Sequence, residues 1–279
     1  MLTIKNIIKS FLKFFNIGTI KHSSLENLHA HIKLINERLK ITEEKLRIPQ
    51  GILDDFNLLI TLPNEHASNI LQYLPMSKSQ FRQDLFVLSQ LHFKKNGFFV
   101  EFGATNGIDL SNTYLMEKEF GWNGILAEPA TCWHNALKNN RTVNIECNCV
   151  WSDSLSTLIF NETNSAELST VNNYSAADLH NEARKNGKLY NVKTISLEDL
   201  LKKYNAPKEI DYLSIDTEGS EFDILNNFNF NQYSFNVITC EHNYTTPKRE
   251  QLFTLLTENG YIRKFEELSK FDDWYVKSN

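Results

Sequence analysis

GFFVEFGATNGIDLSNTYLMEKEFGWNGILAEP, residues Gly97 to Pro129, is the stretch on which the reading of the whole chain turns. Gly97 to Phe102 is a short apolar run carrying one acid, Glu101, near its end, the pattern of a parallel strand buried on both faces. A turn follows, in which Gly103 and Gly107 bracket Ala104, Thr105 and Asn106 and let the backbone approach a ligand with no Cβ in the way. Ser111, Asn112 and Thr113 open an amphipathic stretch to Phe120, and a second apolar run, Gly124 to Ala127, ends at Glu128 and Pro129. Two strands thus bring Glu101 and Glu128 to one carboxyl edge of a sheet, the edge where open α/β sheets bind ligands.

An acid after the second strand commonly accepts both hydroxyls of a ribose, so the expected ligand is a nucleoside. A dinucleotide site wants Gly-x-Gly-x-x-Gly, with the pyrophosphate on a helix N-terminus. Here Thr105 takes the middle glycine position, and Glu101 would repel a pyrophosphate while suiting an ammonium and a sulfonium. That polarity favours S-adenosylmethionine as cofactor; a nicotinamide dinucleotide and oxidoreductase chemistry form the alternative. Thr142 to Val150 is the expected third strand, and Trp151, Ser152 and Asp153 follow where an adenine would lie. Asp153 either accepts from the exocyclic amine or closes a plain turn.

The second informative stretch is IDYLSIDTEGSEFDIL, Ile210 to Leu225, in which a strand delivers Asp216 to the same edge. Phe235 to Thr239 repeats the device ahead of Cys240, Glu241, His242 and Asn243. Adjacent strands would set Asp216 beside Glu241 and His242, a set that holds a divalent cation such as Mg2+ through oxygen ligands or lets His242 act as general base on a hydroxyl. The bland readings are Glu218 and Glu221 complementing a helix dipole and His242 as a satisfied turn residue.

Around these stretches, 279 residues with 41% hydrophobic content suffice for one α/β core plus an appendage, and a net charge of −5 gives no case for nucleic acid. Cys132, Cys147, Cys149 and Cys240 form no metal or disulfide pattern, as expected of reduced thiols in a cytoplasmic protein. Residues 1–21 alternate lysines with Ile and Phe too often for a membrane span, and are expected to lie on the inner face of a membrane or to pack on protein. Leu25, Ile32, Leu39 and Leu46 at a, with Leu28, Ile35 and Thr42 at d, set a heptad register over 25–46 that suits a homo-oligomer or docking on the chain's own domain. Pro49 and Gly51 mark a boundary near residue 48, and residues 52–74 show no clear period. The expected organisation is a helical region 1–48, a helical lead-in 49–96 and an α/β domain 97–279, with a polar substrate lid over 161–190. On the lead-in, Phe81, Leu85, Leu88 and Phe93 should line the core, leaving Gln80, Arg82 and Asp84 on a polar side that is a solvated face or helps cover the cofactor.

From about Ser79 to Val276 the chain resembles the FkbM family of S-adenosylmethionine-dependent methyltransferases. The resemblance rests on SQFRQD (Ser79 to Asp84), GFFVEFGATNG (Gly97 to Gly107), SNT (Ser111 to Thr113), GWNGILAEP (Gly121 to Pro129), DTEGSE (Asp216 to Glu221) and EHN (Glu241 to Asn243). It implies a Rossmann-like class I methyltransferase sheet of seven strands, the last pair antiparallel; it does not cover Met1 to Pro75, where the N-terminal helical extension is read from the residue pattern alone. The C-terminal helix at 247–259 followed by strands at 261–265 and 273–277 agrees with that ending. It further implies O-methylation of a hydroxyl, often on a sugar, with Glu101, Gly103, Asn106, Gly107, Asn112, Glu128 and Asp153 around the donor and Asp216 and Glu241 at the reacting end. A non-catalytic scaffold of a polysaccharide assembly complex is the remaining alternative.

Overall fold

The computed structural model describes residues 30–35, 37–38, 49–176 and 180–278. The chain forms two compact units, 1–53 and 54–279. In the first, residues 30–35 and 37–38 are helical; the amphipathic stretch 1–21 and most of the heptads of 25–46 lie outside the described residues.

Helix α1, Gln50–Thr61, leads into α2, Ala67–Tyr73, and α3, Gln83–Gln90. The stretch 52–74 is therefore largely helical despite its weak period, because Leu58, Leu62 and Ile70 bury in the core with Leu85 to Leu88. α3 is buried all round, so the expected solvated face does not exist there. Asp84 is fully buried, accepting from Ser77 Oγ at 2.7 Å, while its backbone N–H donates to Ser79 Oγ. Arg82 pairs with Asp55 at 2.7 Å.

The main sheet is built from β1, Phe98–Phe102; β2, Asn123–Ala127; β3, Asn144–Glu146; β8, Glu209–Ile215; β9, Ser234–Glu241; β10, Tyr261–Lys264; and β11, Asp272–Lys277. Its order is β3-β2-β1-β8-β9-β11-β10, with β11 antiparallel to both neighbours and the other pairings parallel. The alternation of β1 explains its position at the centre: Val100 and Phe102 join one core and Phe99 the other. One face is covered by α1 to α3 and by α4, Tyr114–Phe120. The other is covered by α7, Leu197–Lys203, α8, Glu221–Asn226, and α9, Thr246–Glu258. A strand buried on both faces needs no polar alternation, which is why FFVEF is apolar save for Glu101.

The expected third strand is two strands. Glu146 Oε1 accepts from the N–H of Asn148 at 3.0 Å and turns the chain. β4, Cys149–Trp151, therefore leaves the main sheet for a second one of order β4-β7-β5-β6. Its other members are β5, Thr157–Glu162; β6, Thr170–Val171; and β7, Lys188–Ser196, with α6, Asn181–Arg184, in the β6–β7 connection. The region 161–190 thus contains strands that polarity alone does not announce, because their partner β5 pairs with β7 across nearly 30 residues. All four cysteines are free.

Candidate active site

The tips of β1, β2 and β8 open into a cleft of about 980 Å3 whose far wall is the second sheet. Of the residues singled out in the sequence, Glu101, Gly103, Asn112, Glu128, Pro129 and Asp216 line it. Ala104 is buried in the core instead. Asn106 closes the turn, its Oδ1 accepting from the N–H groups of Ile108 and Asp109 at 2.9 Å. Gly107 holds φ +81°, and a Cβ there would meet Arg141 Cγ at 2.6 Å, so this glycine serves packing. Gly103 likewise admits its own chain: a Cβ would fall 2.1 Å from the Asp216 carbonyl oxygen, where the β1 and β8 tips converge. Ser152 and Asp153 stand outside the cleft lining, with Cys149 and Val150 in their place. Asp153 Oδ1 accepts from Thr194 Oγ1 at 3.2 Å and braces β7.

Glu101 is held in place by the SNT tripeptide. Its carboxylate accepts from the Asn112 N–H at 2.7 Å, Ser111 Oγ at 3.0 Å and Thr113 Oγ1 at 2.5 Å. Arg141, fully buried, lies 3.8 Å from it and pairs with Glu117 at 2.5 Å. Burial works against ionisation of Glu117, but the Arg141 charge outweighs it and holds that carboxyl at about 2. Glu128 accepts from the N–H groups of Thr105 at 2.8 Å and Ala130 at 2.7 Å. Burial nevertheless pushes its pKa up to about 7, with Glu162 adding repulsion. Thr105, at the tip of this turn, and Glu218, in the β8 loop, both hold left-handed backbone, at φ +45° and +58°. Such conformations persist where surrounding structure enforces them, often at functional sites.

At the other end, Asp216 opens to the solvent of the cleft. Packing around it and the charges of Glu218, Asp272 and Glu221 raise its pKa, a rise that water at the mouth moderates. Glu241, next to it across the β8–β9 pair, is buried, and burial with the Asp216 charge pushes its pKa up too. Carboxylate oxygens of Asp216, Glu218 and Glu241 lie within 4.8 Å of one another, and Glu241 Oε2 has no hydrogen-bond partner among the described residues. Glu218 is already paired with Arg184 at 2.7 Å.

His242 does not join this group. Its Nδ1 accepts from the Tyr244 N–H at 3.0 Å, and its Nε2 faces the Asp272 carbonyl at 3.2 Å, which fixes the neutral tautomer with the proton on Nε2. The ring lines a separate recess with Glu241, Asn243, Thr245 and Lys248, and burial lowers its pKa. With its one lone pair engaged and the cleft elsewhere, His242 is a satisfied turn residue rather than a base.

Sequence reasoning missed Asp272 and Gln83, which line the cleft together with Gln80. Gln83 Nε2 donates to Asp272 Oδ2 at 2.7 Å across 189 residues of sequence, a pairing that no local pattern announces. Phe160 and Val171 from the second sheet add apolar wall beside Ala127 and Val150.

A parallel sheet of this order, closed by one reversed strand and carrying a glycine turn and an acid at its first two tips, defines the Rossmann-like methyltransferases. The family described as Methyltransferase FkbM domain matches residues 101–266, more than half of the chain, and the chain belongs to that family. Its chemistry is accordingly methyl transfer from S-adenosylmethionine rather than hydride transfer. Solved structures that resemble it include a precorrin-6y methyltransferase from Geobacter metallireducens, at 10% identity and a TM-score of 0.36, covering 69% of this chain and 85% of that one. Another is a TehB-like SAM-dependent methyltransferase from Corynebacterium glutamicum, at 7% identity and 0.35, covering 77% and 97%. Scores this low carry no argument, and the assignment rests on the sheet and the family match. A comparison with curated proteins found no match.

The cleft fits that donor on an observation of its own: Asn112 Oδ1 is buried without a hydrogen-bond partner among the described residues while its Nδ2 donates to Ser214 Oγ, leaving an acceptor in want of an ammonium-type donor.

Proposed function

We propose that the protein O-methylates a hydroxyl of a sugar-bearing acceptor, with Asp216 as the group that takes the hydroxyl proton. The observation that supports this most is the position of Asp216: an accessible carboxylate at the β8 tip, raised toward neutrality, on the wall that Asn112 and Glu128 share. S-adenosylmethionine supplies an electrophilic methyl group on a sulfonium. Glu128 would hold the ribose, Asn112 Oδ1 the ammonium, and Val150, Phe160 and Val171 would shield the base from water. Asp216 would orient the acceptor hydroxyl and carry its proton away, while positioning lowers the barrier further. In Asp216→Asn, turnover should fall by roughly 10²- to 10⁴-fold, with donor affinity by calorimetry kept within a few-fold. Unchanged turnover would remove Asp216 from the chemistry.

A second reading is favoured by the partnerless Glu241 Oε2: Asp216 and Glu241 hold a divalent cation through oxygen ligands. Magnesium should then raise the melting temperature of the chelated protein and restore turnover lost to the chelator. Indifference of both to chelation leaves Asp216 acting alone. The same proposal places the enzyme in the cytoplasm, with residues 1–21 on the inner membrane face and residues 25–46 joining two copies. No helix among the described residues is long and apolar enough to cross a membrane.

A further inference from the structure

The charges that line the cleft are all of one sign. Asp109, Glu167, Asp216, Glu218 and Asp272 line it beside Glu101 and Glu128, and among the described residues no lysine, arginine or histidine does. The nearest cations are committed elsewhere. Arg141 is buried and bound to Glu117, to the Gly107 carbonyl and to the Ser111 and Thr113 hydroxyls. Arg184 is buried, and its guanidinium donates to Glu218 and to the Leu168 carbonyl. Lys248 donates to the Gly219 carbonyl and lies over the Tyr174 ring, on the side of the separate recess. Arg82 is held by Asp55. What remains for an incoming ligand is a set of hydrogen-bond acceptors, with the neutral amide of Gln80 and the hydroxyl of Ser169, while the Gln83 amide is engaged by Asp272 and the Phe81 N–H.

We infer that the acceptor is a polyol without anionic groups, and that an ammonium on it strengthens binding, whereas uronic acids, phosphorylated sugars and nucleotide-activated sugars are turned away. This rests on the reading of the cleft as the methyl-acceptor site. Carboxylates accept well from sugar hydroxyls and better from ammonium groups. A phosphate or carboxylate would lose its water to a wall that offers it no cation and would face like charge at close range.

The test uses the full chain saturated with S-adenosylmethionine, and saturation-transfer NMR with the methyl glycosides of glucosamine, glucose and glucuronic acid, together with glucose 6-phosphate. The glucosaminide should bind at least as well as the glucoside, and the two anionic sugars at least about tenfold more weakly. Glu167 is exposed on the second-sheet side, so Glu167→Lys should fold normally, which its melting curve checks. That change should narrow the gap between glucoside and glucuronide several-fold. Anionic sugars binding as well as neutral ones, or a gap untouched by the charge reversal, overturns the inference. If no sugar binds although the donor does, the polyol class falls and methyl transfer stands. If the donor itself fails to bind, the reading of the cleft falls instead.

Discussion

Glu128 sits at the β2 tip because two backbone N–H groups, from Thr105 and Ala130, fix its carboxylate there. The same two bonds hold it rigid for the ribose contact proposed above. Charge-assisted hydrogen bonds are worth roughly 1.5 to 3 kcal/mol, so Glu128→Ala should weaken S-adenosylmethionine binding by about 10- to 150-fold. Calorimetry showing unchanged affinity in that variant removes Glu128 from the donor site. His242 shows the opposite outcome at the same scale. It follows Glu241 directly in sequence, yet its backbone N–H bonds to the Phe271 carbonyl at 2.8 Å and its ring turns into the neighbouring recess.

Between Gly103 and Thr113 the turn is an element in its own right, and Arg141 is its brace. The guanidinium reaches the Gly107 carbonyl at 3.0 Å, Ser111 Oγ at 3.1 Å and Thr113 Oγ1 at 2.9 Å, and lies over the Phe99 ring. Removing it leaves Glu101 buried with no compensating cation among the described residues, and Glu117 with Lys118 alone. Arg141→Leu should therefore cost about 3 to 5 kcal/mol of stability, read from the urea midpoint. A loss below about 1 kcal/mol would mean that the turn stands without it. The second sheet is fastened to the β8 loop by similar means: Arg184 meets Glu218, Thr170 Oγ1 donates to the Glu218 carbonyl at 3.0 Å, and the Tyr174 hydroxyl donates to Asp223. The cleft wall and the loop carrying Asp216 are thus one connected piece.

Across the whole molecule, folding gathers acids faster than it gathers cations at the strand tips, and this has a consequence for stability. Glu128 has a pKa of about 7 in the folded state against the ordinary carboxylate value when unfolded. The folded chain therefore holds more protons between those two values, and stability from this group is complete at low pH and lost as pH rises through 7. The loss amounts to roughly 3 kcal/mol. The donor-free protein should melt progressively lower from pH 5 to 8, and Glu128→Gln should flatten that slope. A melting temperature rising over the same interval would contradict the assignment.

Much of this was legible in the sequence wherever the determinant is local. FFVEF and NGILA are apolar because strands buried on both faces must be, and Asp216 and Glu241 end their strands because the next residues leave the sheet. What neighbours in space decide was not legible. Gly103 and Gly107 hold positive φ where a Cβ would meet the Asp216 carbonyl oxygen and the Arg141 side chain, neighbours that the local sequence does not reveal. Asp84 is buried with Ser77 and the Leu85 N–H donating to its Oδ1 and Ser79 accepting from its backbone N–H. Asp272 enters the cleft because β11 runs back between β9 and β10, and Thr142 to Val150 splits because its second half pairs with a strand about 40 residues on. Sequence by itself determined four strands of the central sheet, β1, β2, β8 and β9, and the acids Glu101, Glu128, Asp216 and Glu241 at their ends, since these follow from burial and period. Only the tertiary structure decided which of those side chains face the cleft, which are consumed by other groups and what charge the cleft presents, because these depend on contacts between residues far apart in the chain.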